Sequence, residues 1–440
     1  MTAHSRRGAC PGLSAPMPTG DGLLVRLRPA APVPLAALAG ICEAARRYGN
    51  GIIEISARGS LQVRGLTPQS APLFASAVEE LGVVIHEGIQ VIAGLDQPIR
   101  RENTPVAKRM DMRVKPAADD SITSDVAAEL RWAIGKAGLT LSPKISIAVD
   151  DGGMLHLDAL SADVRLRAAG PAEAPRFTVG LGGDGASATW LGSVARKDAV
   201  GAVLGILTII AANGPAARAS EVLRAGGVEA FRSVSEAVVE LSSAPPQRML
   251  AEVIGLHSAR DGTVAVGIGL AFGHTHADAL AEIVRVAAVH GAHTVWPAPG
   301  RALLLIGVSA PYAQDITAAA ERLGFVAHAG DPRRRIAACP GAPTCASGLI
   351  PSRALASVLT AILEPVLKTE HNGVCVHISG CDKGCAHPMR AALTVVGTPR
   401  GCGIVHDGTA RTAPGHYVDP ANLGDEISRI ATKTGEAAHG

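Results

Sequence analysis

The sequence predicts a duplicated α+β protein with a pseudo-twofold axis. Three observations predict it: a strand-helix-strand unit that occurs twice, a constant offset between the copies, and a longer α/β stretch after each copy. Residues 22–28 alternate as a strand does, and so do residues 264–270. Each run is followed by a helical pattern, 35–47 and 277–290, that ends at Gly49 or Gly291, the residue favoured just past a helix C-terminus. A turn and a second strand follow, 52–66 around Arg58-Gly59 and 294–308 around Gly300-Arg301. An offset of 242 residues superposes Gly49 on Gly291, Leu61 on Leu303 and Gly65 on Gly307 without a gap.

Four segments are expected: a first half-domain over 1–90, an α/β domain over 91–240, a second half-domain over 241–325 and a cysteine-bearing α/β domain over 326–440. Within the second segment, 98–123 is charged and turn-rich, and 124–136 reads as a helix. Residues 144–149 and 154–158 read as a hairpin across the Asp-Asp-Gly-Gly run 150–153.

Composition narrows the partners. The 440 residues are 47% hydrophobic and 18% charged, which suits a globular chain with a large core. A net charge of +2 gives no electrostatic case for nucleic acid, and 11 aromatic residues leave little for base stacking. The longest apolar stretch, 199–213, is shorter than the ~20 residues of a membrane helix and reads as a helix buried inside a domain. Arg6-Arg7 is followed by no apolar run, so an export signal is not expected and cytoplasm is the expected location. There, clustered cysteines mean metal or catalysis more often than disulfides.

Four of the eight cysteines fall into two tight pairs, Cys339 with Cys345 and Cys381 with Cys385, separated by 35 residues. Thiolates are soft anionic ligands, and four of them suit an iron-sulfur cluster or zinc. Structural zinc knuckles use two to four residues between ligands. The five-residue gap between Cys339 and Cys345 is wider, and Pro340, Gly341 and Pro343 set an irregular path, so the pattern favours a [4Fe-4S] cluster over zinc. Gly380 and Gly384 allow close backbone approach, and Lys383 can offset cluster charge. His387 either faces the active centre or caps its loop. Cys10, Cys42, Cys375 and Cys402 are unclustered, and Cys42 lies on the apolar stripe of its helix.

Two further patterns bear on ligands. Residues 180–185 match the dinucleotide fingerprint in letters, but 186–195 is strand-like where that fingerprint needs a helix. A hairpin turn or a close-approach loop is the better reading. Arg58, Gln62 and Arg64 are separated by even numbers of residues and share one strand face; Arg26 and Arg28 alternate in the same way on the preceding strand. The second copy has Leu304 and Ile306 where the first has Gln62 and Arg64. The cationic face is either a solvated edge or a site for a polycarboxylate, which guanidinium binds through a bidentate fork. Lys144 either adds to it or is an exposed residue at a strand end.

On these residues the chain resembles the siroheme-type sulfite and nitrite reductase superfamily over nearly its whole length. The resemblance is carried by the duplicated halves, the Cys-x5-Cys and Cys-x3-Cys pairs and the Ser-Ala-Arg58-x3-Gln62 strand. The segments Ala338–Gly348 and Ser379–Pro388 are similar to the branch of that superfamily that makes precorrin-3B in aerobic cobalamin biosynthesis. The reductases read Gly-Cys-Pro-Asn-x-Cys at the second pair and carry a Lys-x-Lys pair, of which Lys144 remains while Ser146 replaces the second lysine.

The resemblance implies ferredoxin-like half-domains and two reductase-type α/β domains. It implies a [4Fe-4S] cluster on Cys339, Cys345, Cys381 and Cys385, and a tetrapyrrole cradle lined by Arg58, Gln62, Arg64, Arg26, Arg28 and Lys144. It further implies monooxygenation of precorrin-3A with dioxygen and NADH-derived electrons, delivered by a partner reductase. A second, non-haem iron to activate dioxygen is implied with no ligand set assigned, since no 2-His-1-carboxylate spacing stands out; His387 is the candidate catalytic residue. The alternative is a siroheme-dependent sulfite or nitrite reductase; a third reading is a non-catalytic electron carrier or zinc-stabilised binding protein.

Overall fold

The computed structural model describes residues 11–95, 122–170, 174–231, 244–259, 262–367 and 375–437. These residues form four five-stranded sheets. The first runs Met17–Thr19, Gly22–Leu27, Leu61–Leu66, Ile52–Ile55 and His274–His276. The third runs Gly255–Ser258, Val264–Gly269, Ala302–Val308, Thr294–Ala298 and Val33–Pro34. The offset of 242 carries four strands of one sheet onto the other; the outermost pair, Met17–Thr19 and Gly255–Ser258, is shifted by about three residues. The same offset carries helix Leu35–Tyr48 onto Ala277–Val289 and helix Ser70–Glu80 onto Ala313–Arg322.

Each half lends a strand to the other. Val33 pairs with Val295 in the third sheet, and Thr275 pairs with Ile53 in the first. The two halves are therefore interleaved and share one core. Helix Leu35–Tyr48 buries Leu38, Ile41, Cys42 and Ala45 against Leu280, Ile283 and Ala287 of its counterpart, with both sheets closing over them. Fully burying each large aliphatic side chain contributes roughly 1.5–3 kcal/mol.

The second sheet contains Gln90–Ala93, Ser146–Asp150 and Val164–Ala169 in parallel, then Arg176–Leu181 and Thr189–Ala195 antiparallel. The fourth repeats that plan with Ile336–Ala338, Val376–Ser379 and Ala391–Thr398 in parallel, then Gly401–Gly408 and His416–Val418. Duplication thus extends to the α/β parts. Helices Ile122–Lys136 and Ala199–Ala212 pack on the second sheet, and Ser352–Leu367 and Leu423–Ala437 on the fourth.

Three expectations meet the structure here. The glycine run 180–185 is the turn of a hairpin, with Gly182 and Gly183 at φ 61° and 64°, and no α-helix begins before Ala199. The hairpin expected over 144–158 does not form. Ser146–Asp150 pairs in parallel with strands on both sides, and 154–158 is a turn held by the Asp150 carboxylate, which accepts from the Gly152 and Leu157 N–H groups at 2.7 and 3.0 Å. The apolar helix Ala199–Ala212 buries one side and leaves Gly201 and Thr208 exposed. Of the turn-rich stretch, 98–121 lies outside the described residues. Among the described residues no helix is long and apolar enough to cross a membrane.

Candidate functional site: two cysteine loops and a cationic cavity

Strands Ile336–Ala338 and Val376–Ser379 lie side by side in parallel, with Ala338 opposite Ile378. Cys339 and Cys381 follow their carboxyl ends, the edge at which open α/β sheets hold ligands. The loops then fold onto each other. Gly380 N–H donates to Cys339 Sγ at 3.1 Å, Leu349 N–H to the Gly380 carbonyl at 2.7 Å, and Lys383 Nζ to Ser347 Oγ at 2.7 Å. A Cβ on Gly348 would lie 2.6 Å from the backbone nitrogen of Ala342, so the first cysteine loop folds back on itself only with glycine there.

Burial first, and then the neighbouring sulfurs of Cys339, Cys381 and Cys345, push the Cys385 thiol above its usual range. A nearby cation would favour the Cys385 thiolate, which fits a bound metal or metal-sulfide group. Among the described residues, Asp150, His156 and Asp158 bring three ligating groups within 4.8 Å of one another.

That acidic trio is an ion-pair network. Arg248 donates to both Asp150 and Asp158 at 2.5 and 2.7 Å, and His156 uses Nε2 on the Met249 carbonyl and Nδ1 on the Asp158 N–H. A second iron therefore finds no free set of three ligands there.

The first sheet turns its polar face to the cysteine loops. Glu54, Gln62 and Arg26 lie in register across three strands. With its amide oriented by its partners, Gln62 donates to Glu54 Oε2 at 2.9 Å and accepts from Arg26 Nη2 at 2.7 Å. Arg64 is 3% exposed, pairs with Asp21 at 2.9 Å, and donates to the carbonyl of Thr344 in the first cysteine loop at 2.8 Å. Arg353 closes the network on Glu54 at 2.6 Å. At the corresponding positions of the third sheet, Leu304 and Ile306 pack on Leu95, Leu155, Ile254 and Val326. Arg64 thus reaches the first cysteine loop, while Gln62 and Arg26 join it through Glu54 in one polar network on that face.

Arg28 and Arg58 lie elsewhere. They line one cavity together with Arg131, His86, Gln90 and Ser60, and no carboxylate is among its described lining residues. A second cavity of about 450 Å³ shares Arg28, His86 and Arg131, and adds the carboxylate of Glu87 and the apolar walls Ile134, Leu139 and Leu141. Arg58 belongs to the turn between Ile52–Ile55 and Leu61–Leu66 and donates to the Ser161 carbonyl at 3.3 Å. Burial pushes Arg131 down to about 10. His86 is lowered to about 4 by burial, then by Arg131 and Arg28, and is therefore neutral at pH 7.

The sequence reading missed both Arg131 and His86. Arg131 had a signal: it sits four residues after Ala127 on the apolar flank of its helix, where a charge is out of place. Lys144 is exposed, beside the Pro143 that lines the larger cavity. Ser146 is fully buried, and its hydroxyl has no partner among the described residues. His387 bonds the Arg390 carbonyl of its own loop at 3.3 Å and packs edge-on against His377 at 5.8 Å between ring centroids. That geometry favours the loop-capping reading.

Residues 15–81 match the nitrite/sulfite reductase ferredoxin-like half domain. The fold is similar to the solved structure of the Mycobacterium tuberculosis NirA protein, with a TM-score of 0.71 over 93% of this chain and 80% of that one, at 18% identity. The architecture is that of the nitrite/sulfite reductase type. Among curated proteins, the chain is 34% identical over 435 residues to a precorrin-3B synthase from a Sinorhizobium species, covering 97% of this chain and 89% of that protein. It is 26% identical over 380 residues to a ferredoxin–nitrite reductase of Synechococcus elongatus, covering 80% and 71%. The chain belongs to the precorrin-3B synthase family.

Proposed function

We propose that this protein is a monooxygenase of aerobic cobalamin biosynthesis that converts precorrin-3A to precorrin-3B. It would hydroxylate the C20 bridge and close a γ-lactone from the ring A acetate, using dioxygen and NADH-derived electrons. The observation that carries this reading is the run of Arg28, Arg58 and Arg131 along two adjoining cavities of about 60 and 450 Å³, with Glu87 the one carboxylate among their described lining residues. A ring bearing eight carboxylates supplies the missing negative charge, and each guanidinium can take one arm through a two-pronged contact. His86, held neutral, can hydrogen-bond an arm without adding charge.

Cys339, Cys345, Cys381 and Cys385 would hold a [4Fe-4S] cluster, which supplies single electrons when bound. The hairpin 52–66 connects the two parts: its turn lines the cavity, and Arg64 on its second strand reaches the first cysteine loop. Arg58 and Arg28 are assigned to the tetrapyrrole, with Lys144 at the outer edge of the larger cavity. Gln62, Arg64 and Arg26 are assigned to the interface with the loops. An electron-donating reductase completes the system.

The test is anaerobic purification with iron, acid-labile sulfide and zinc analysis of the wild type and of each Cys→Ser variant. The reading expects sulfide-bound iron that each substitution lowers, and tetrapyrrole binding that weakens about tenfold or more in Arg58→Ala, as loss of one charge-assisted contact implies (~1.5–3 kcal/mol). One zinc per chain and no sulfide would contradict the cluster. Unaltered tetrapyrrole affinity would contradict the cradle.

A further inference from the structure

One residue of the second repeat is placed against the interests of the fold. Arg301 has φ 62°, in the left-handed region that disfavours any side chain. The offset of 242 aligns it with Gly59, which adopts φ 76°. Glycine takes that conformation freely, so the second repeat puts an arginine where the first keeps the residue the backbone prefers. The guanidinium is also poorly compensated. Burial, and then the charge of Arg353, lower its pKa, and no carboxylate lies within ion-pairing distance among the described residues. Space for its stem comes from Gly273, where a Cβ would lie 2.7 Å from Arg301 Cδ. Strain of this kind persists where the surrounding structure enforces it, and it marks candidate functional positions.

What Arg301 does hold is the second cysteine loop. Its Nη2 donates to the Ala386 carbonyl at 2.9 Å, in the residue that follows Cys385. Arg64 does the corresponding thing at the first loop. Its Nη2 donates at 2.8 Å to the carbonyl of Thr344, the residue before Cys345, and the Gly20 N–H adds a 3.0 Å bond to that oxygen. One guanidinium comes from each repeat, and each grips a carbonyl next to one cysteine of each pair. The two are not equivalents: the same offset aligns Arg64 with Ile306.

We propose that Arg64 and Arg301 are paired clamps that fix Thr344 and Ala386, and so hold Cys345 and Cys385 at the separation a bound metal-sulfide cluster needs. This explains why the two repeats diverged at these positions while keeping one fold, since each had a different loop to hold. The inference rests on the cluster reading given above. Both arginines act through the backbone of the loops and are positioning residues.

Arg301 offers the cleaner test, because its removal leaves no carboxylate unpaired. In full-length protein reconstituted with iron and sulfide, Arg301→Met should fold with a thermal midpoint, cluster-free, equal to or above that of the wild type. Its cluster should be lost to a ferrous chelator at least tenfold faster and give an altered electron paramagnetic resonance spectrum when reduced. Arg301→Lys, which keeps one donor, should recover part of the chelation resistance. Arg64→Lys, which keeps a charge beside Asp21 but loses the fork, should accelerate cluster loss in the same way.

Chelation rates and spectra matching the wild type in Arg301→Met would overturn the clamp. So would a lowered cluster-free midpoint with an unchanged cluster, since that pattern belongs to a structural residue. Failure of the wild type itself to take up sulfide would overturn the cluster reading, and the clamp with it, and is recognisable because no variant is involved.

Discussion

Replacing Arg131 with methionine should move stability and binding in opposite directions. Burial lowers this guanidinium from the ordinary 12.5 to about 10. At 1.36 kcal/mol per pKa unit, holding the charge there costs the ligand-free protein roughly 3 kcal/mol. Arg131 returns part of that through its 3.0 Å bond to the Val91 carbonyl, about 1.5–3 kcal/mol for a charged donor. The two nearly cancel. Methionine removes both and suits the neighbouring Ile134, Leu139 and Leu141, so ligand-free stability should stay level or rise by about 1 kcal/mol. Tetrapyrrole binding should weaken about tenfold or more, because a carboxylate arm loses a charge-assisted partner. Urea denaturation of the ligand-free protein and fluorescence titration with precorrin-3A, or a stable octacarboxylate porphyrin, measure the two quantities. A stability loss above about 1 kcal/mol with unchanged affinity would refute the reasoning and make Arg131 a clamp for the strand at Val91.

Two more outcomes follow from the same structure. His86 and His274 have folded pKa values of about 4 against the ordinary 6.5, each lowered first by burial and then by neighbouring arginines. As pH falls through 6.5 the unfolded chain binds those protons first, so stability is complete above 6.5 and declines down to about 4; His274→Asn should flatten part of that slope in urea midpoints taken across pH. Gly348→Ala should destabilise the fold-back of the first cysteine loop by about 1–3 kcal/mol, because its Cβ would meet the Gly341–Ala342 backbone at 2.6 Å. Gly201→Ala, with nothing within 4 Å in the first turn of its helix, should stabilise by up to about 0.5–1 kcal/mol, and thermal unfolding of the pair compares the two.

The duplication was legible because it is written in local pattern. Alternation, helical stripes and terminal glycines recur at one offset, and the structure keeps that offset through both helices and four of the five strands of each sheet, the outermost strands Met17–Thr19 and Gly255–Ser258 excepted. The cysteine loops were legible for the same reason, since ligand spacing is a local property. The strand exchange was not, because Val33–Pro34 and His274–His276 are two and three residues long and pair with strands more than 200 residues away.

The polar strand face shows a different limit. Alternation placed Gln62 and Arg64 correctly on the face away from the core, but could not say what covers that face. Tertiary packing put Asp21, Glu54, Arg353 and the Thr344 carbonyl there. The false hairpin over 144–158 arose from reading Asp-Asp-Gly-Gly as a turn between paired strands. The Asp150 carboxylate does organise a turn, but the strand before it finds parallel partners from distant segments.

The central claim is the reaction, and labelled dioxygen tests it most directly. With precorrin-3A and reductant both present, the protein should consume dioxygen and place one labelled atom in the product, because the bridge hydroxyl comes from outside while the lactone uses the substrate's own acetate oxygen. Sulfite and nitrite should be poor substrates, since Ser146 leaves Lys144 without a second cation beside it. Stoichiometric siroheme in the isolated protein, no label in the tetrapyrrole and six-electron reduction of sulfite or nitrite would contradict the account.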